Sequence, residues 1–224
     1  MRTTDGPPAR ALRTPRAAGV AGIICAVLLG SIIVLIRNAV PTASAENTRW
    51  LASLSNRDTL QLVLNLVPFT GIFFLWVMAF LRDYVGAAED RFFATLFLGS
   101  GLLFVAMLFV LASAADSLLA ATDVSQAGSP SRSWRYGRHL TLTMLMSYAT
   151  RMGAVFTLST TTIGQRLGIF PRWLAWLGYL VALYLMFAAS SVPWSELVFP
   201  VWILAISIFV LRANFRRRGV QSSA

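Results

Sequence analysis

The sequence predicts an all-α polytopic membrane protein with six transmembrane helices in one bundle, and three observations carry that expectation. The chain of 224 residues is 57% hydrophobic and 12% charged, with mean hydropathy +0.67, against a charged content of about one-quarter in soluble domains. Apolar stretches of about 20 residues, enough to cross a hydrocarbon core of roughly 30 Å, recur along it. Arginines fall between those stretches, with the exception of Arg151, and suit anionic lipid headgroups and topology.

Taken in order, residues 1–16 hold four arginines against one aspartate and read as a disordered cytosolic tail. The first span is 17–36. Along one face of it, Ala18, Gly22, Ala26 and Gly30 form a strip of small side chains on which another helix can pack closely. A cleaved secretory signal is the rival reading, since Arg10, Arg13 and Arg16 precede the run and Ala43-Ser44-Ala45 resembles a cleavage site. The apolar run exceeds a usual signal core of about 7–15 residues, and Arg37 closes it well before the alanines. Trp50, Leu51 and Leu54 form the apolar edge of a short interfacial helix or lie in a solvated loop.

The second span, 60–81, contains Asn65 and Pro68, and a charged connector from Arg82 to Arg91 leads to the third, 92–115. The longest connector, 116–138, centres on Gly128-Ser129-Pro130-Ser131, with Trp134 and Tyr136 among arginines as interfacial anchors. The fourth span, 140–163, is unusually rich in Thr, Ser and Met. Pro171 marks the turn to a fifth, 173–192, and Pro193-Trp194-Ser195-Glu196 the turn to a sixth, 194–211, which contains Pro200. The segment 213–224 is a basic tail.

Six spans place both termini on one side. Twelve arginines lie on that side and six on the other, so both termini are expected in the cytoplasm. Around the second connector, Glu89-Asp90-Arg91-Phe92-Phe93-Ala94-Thr95 and Phe97-Leu98-Gly99-Ser100-Gly101 resemble an uncharacterised family of small bacterial multipass integral membrane proteins. The resemblance covers about 30 residues firmly and most of the spans loosely; it implies the architecture and an inner-membrane location, and no activity.

Chemistry is sparse. One His and one Cys on different spans exclude a dedicated zinc or iron site and leave no cofactor to expect; Met144 and Met146 near His139 read as apolar filler before copper ligands. Nucleic acid is not an expected partner, because no soluble basic domain carries the charge of +10. Ser100 and His139, the one serine–histidine pair considered for nucleophilic catalysis, are expected at opposite ends of the bundle, and no catalytic cluster is found.

Arg151 is the focus. Lying about twelve residues from either end of the fourth span, it is expected about 18 Å deep, where a cation needs a partner, a wet cavity or a route to the interface. Tyr184, Asn65, Tyr148 and Thr150 are its candidate neighbours in a polar pocket between the second, fourth and fifth spans. Such a pocket would hold an anionic small molecule or lipid headgroup, because guanidinium matches carboxylate and phosphate oxygens; the alternative is an arginine that fixes helix register. A second, weaker expectation is a proton-responsive cluster of His139, Asp116 and Glu196 at the outer face, set against unrelated charges capping helix ends. These features favour a non-enzymatic membrane module, acting in assembly, lipid interaction or sensing, over a small carrier for an anionic or amphipathic solute.

Overall fold

The computed structural model describes residues 15–40, 54–85, 91–124, 132–188 and 192–221. Most of the amino-terminal tail, Ala43–Ala45, Trp50, Leu51 and Gly128–Ser131 lie outside them. Described elements are all helical: α1 (Pro15–Ala39), α2 (Leu54–Val85), α3 (Arg91–Val124), α4 (Arg132–Thr143), a π turn (Met144–Ala149), α5 (Thr150–Arg166), α6 (Arg172–Phe187), a 3₁₀ turn (Ser195–Leu197) and α7 (Val198–Gln221).

Four of these segments are long and apolar enough to cross a membrane: Gly19–Ala39, Ser55–Arg82, Arg91–Ala120 and Ser195–Arg212. The other two expected spans depart from that standard in different ways. Helix α6 has 16 residues, about 24 Å. The fourth is diluted by hydroxyls and arginines, although α4, the π turn and α5 follow one another without a break from Arg132 to Arg166.

Neighbouring helices run antiparallel, and the contacts at small residues fix their register. Gly22 of α1 lies on Ser207 of α7 and Gly19 on Leu211; Gly101 of α3 meets Met78 of α2 and Phe156 of α5; Gly178 of α6 meets Thr161 of α5. Helix α1 therefore sits between α2 and α7, and α3 between α2 and the α4–α5 helix, with α6 on the far side of α5. Phenylalanines join the layers: Phe74 and Phe104 have ring centroids 4.8 Å apart, Phe74 and Phe156 5.0 Å, Phe97 and Phe156 5.0 Å, and Phe104 and Phe199 5.0 Å. In lipid, where apolar side chains gain little by leaving the solvent, such interlocked packing is the main attraction between helices.

Several sequence expectations are corrected. Helix α6 ends at Phe187, with Ala188 as its cap, short of the expected 192; residues 189–191 lie outside the described residues. Pro200 lies within the Ser195–Arg212 segment, in the first turn of α7, where its missing N–H costs nothing. Helix α7 continues through the expected basic tail to Gln221. The small-residue strip is divided: Gly22 is taken up by α7 of the same chain, while a side chain at Gly30 would meet open space.

The helices also differ in reach. At the end of the bundle that carries Arg166, α5, α6 and α7 are level, since Gly164 meets Phe170 and the rings of Phe170 and Phe209 lie 6.3 Å apart. At the other end α6 stops and α7 begins near the level of Gly153, where an added Cβ would lie 3.2 Å from the Phe199 ring. Helices α2, α3 and α4 run on beyond that level.

Candidate functional site

Helix α5 carries half of the buried hydroxyls among the described residues. Thr157 donates to the Gly153 carbonyl at 2.8 Å, Ser159 to Val155 at 2.9 Å, Thr161 to Thr157 at 2.7 Å and Thr162 to Leu158 at 2.9 Å. A hydroxyl bonded back to its own helix needs no partner from outside, which lets this polar sequence stay helical among apolar neighbours. Thr160 is the exception: it is buried, and its Oγ1 makes no hydrogen bond among the described residues. The indole Nε1 of buried Trp202, whose ring stacks on Phe199, is likewise unpaired.

Immediately before α5, the π turn inserts an extra residue, and Thr150 Oγ1 donates to the Leu145 carbonyl five residues back at 2.7 Å. One added residue rotates everything that follows by about 100° relative to an uninterrupted helix. The phase of Arg151 is therefore set here.

That rotation leaves Arg151 on the exterior. Its side chain is exposed, as is Tyr148 at 50%, one turn earlier on the same face. Arg151 makes no hydrogen bond or ion pair among the described residues. The expected pocket does not close around it. Asn65 is exposed on α2, and the α2–α3–α5 register places it at the level of α4, well away from Arg151. Tyr184 is half-buried on α6, and Thr150 is buried and committed to Leu145.

The expected His139–Asp116–Glu196 cluster is also not assembled. Glu196 is 2% exposed and paired with Arg37, whose Nη2 donates to Oε1 at 2.7 Å and Oε2 at 2.9 Å. This pair ties the end of α1 to the turn that starts α7. The Arg37 Nε, buried beside it, has no partner. His139 and Asp116 are both exposed, on α4 and α3, near the Gly137–Ser117 contact, and neither makes a bond among the described residues.

Sequence reasoning missed the Arg37–Glu196 pair. The signal was present: an arginine closes the first span and a glutamate opens the last, at the same end of the bundle. Ser100 is buried and donates to the Phe97 carbonyl, and its neighbour Gly101 makes the close approach to α2 and α5. Among the described residues no group of three His, Cys, Asp or Glu side chains is placed to hold a metal ion.

The structure thus defines an all-helical protein with four apolar helices of membrane-crossing length and an arginine presented on the outside of the bundle. The chain matches no protein-family model, no curated protein and no solved structure.

Proposed function

We propose that this chain is a six-span, non-enzymatic membrane module that works through its lateral surface, in assembly or lipid interaction, with both termini in the cytoplasm of a bacterial cell. The fifth and sixth crossings in this reading are the α4–α5 helix and α6, which pack onto the four apolar spans. The observation that carries it is the outward position of Arg151: a permanent cation on the perimeter meets lipid or another protein, whereas a carrier needs its counter-ion in a central passage.

The test uses Arg151→Cys in a Cys25→Ala background, reconstituted in vesicles and treated with a membrane-impermeant thiol reagent from each side. A lateral surface predicts modification from one side at most. Modification from both sides would establish a solute passage and overturn the reading in favour of an anion carrier.

A further inference from the structure

The level at which α6 ends and α7 begins is also the level of Arg151. From the Gly178–Thr161 contact, α6 runs to Phe187 over the same length that α5 runs back to Arg151. From the Gly153–Phe199 contact, the 3₁₀ turn and Glu196 lie equally far back. Among the described residues α6 does not continue above this level, while α3 and α4 do. Arg151 is exposed at this level.

Its height suits one occupant. Arg151 is fifteen residues from Arg166, about 22 Å at 1.5 Å per residue, and an extended arginine adds roughly 6 Å toward the nearer surface. The guanidinium then reaches the headgroup boundary of a hydrocarbon layer of about 30 Å. Tyr148, one turn nearer that surface on the same face, adds a phenolic hydroxyl to its donors. Phe187, 77% exposed at the end of α6, provides apolar surface at the same level. Fork-shaped donors above and exposed apolar side chains below match a phosphate with acyl chains attached.

We infer that Arg151 and Tyr148 form a binding site for the phosphate of an anionic phospholipid at the level where α6 ends. The inference rests on the lateral-surface reading and names its ligand. It assigns Arg151 a neutralising partner from the bilayer itself, in place of the protein pocket that is absent.

Thermal unfolding of the detergent-purified full chain tests the site, with added phosphatidylglycerol, phosphatidylcholine or inorganic phosphate. Phosphatidylglycerol is expected to raise the midpoint of wild type at concentrations where the other two do not. Arg151→Met should weaken that response about tenfold in lipid concentration and Tyr148→Phe a few-fold, as loss of charge-assisted and neutral hydrogen bonds requires. Arg151→Lys should retain part of it, which keeps the test decisive if the methionine variant does not fold. Arg172→Gln, an exposed charge at the opposite end, should leave it intact. An equal response in Arg151→Met, an equal loss in Arg172→Gln, or a matching shift with inorganic phosphate would overturn the inference. Thiol modification of Arg151→Cys from both sides would overturn the lateral reading separately.

Discussion

Helices α2 and α3 on one flank and α5 and α6 on the other solve the same problem, staying helical at the edge of the bundle, by different means. Helices α2 and α3 have 32 and 34 residues and present Phe69, Ile72, Trp76, Leu102 and Leu103 outward. Their stability as spans is built into composition. Helix α5 is rich in hydroxyls and α6 has 16 residues, so their stability depends on local bonding and on neighbours: back-bonded threonines, the Thr150 closure of the π turn, and Tyr179, whose hydroxyl lies 2.7 Å from Gln165 Oε1 and 3.3 Å from Thr162 Oγ1. A polar flank held by geometry can display a cation at its edge, and an apolar flank held by composition cannot do so without interrupting itself.

The largest effect should come where the short flank is joined to the rest of the bundle. Glu196→Ala strands the Arg37 guanidinium in a buried site and should cost about 3–5 kcal/mol, read as unfolding in detergent. The double variant Arg37→Met, Glu196→Leu should recover most of it, because removing both charges also removes the desolvation penalty. A double variant as unstable as the single one would show that the pair does more than neutralise itself. Next, Phe156→Ala, which empties the centre of the aromatic cluster between α3, α5 and α7, should cost about 3 kcal/mol. Trp76→Ala, on the exposed face of α2, should cost far less by the same measurement.

A finer contrast lies within α1. Gly22→Ala drives a methyl into Ser207 and should destabilise by about 1–3 kcal/mol, whereas Gly30→Ala meets open space and should stabilise by about 0.5–1 kcal/mol through helix propensity. Equal effects would mean that α7 does not pack on Gly22. The smallest effect should be Thr150→Val, which removes one hydrogen bond worth about 1 kcal/mol. Its clearer readout is faster amide exchange across Met144–Ala149, with little change elsewhere.

The cores of the helices were legible from hydropathy and charge spacing, and the small residues at Gly22 and Gly101 announced close approaches. The face on which Arg151 lies was not legible. Helical periodicity carries phase forward only while the helix is regular, and the π turn at Met144–Ala149 resets it one residue before the arginine. Nor could a one-dimensional reading distinguish the depth of Arg151 within its own span from its level relative to α6, because the stop at Phe187 depends on where α6 packs. Glu196 was recognised as a terminal charge, but its partner lies 159 residues away, and no local pattern encodes that pairing.

Arg37 and Glu196 also impose an order on synthesis. The first helix leaves the ribosome with a guanidinium at its end and a Gly22 face shaped for a strand of chain not yet made, so it cannot finish docking until translation has passed residue 196. Closure of the ring of helices is thus a late event. A nascent protein halted before the last helix would carry an unneutralised charge at the end of α1.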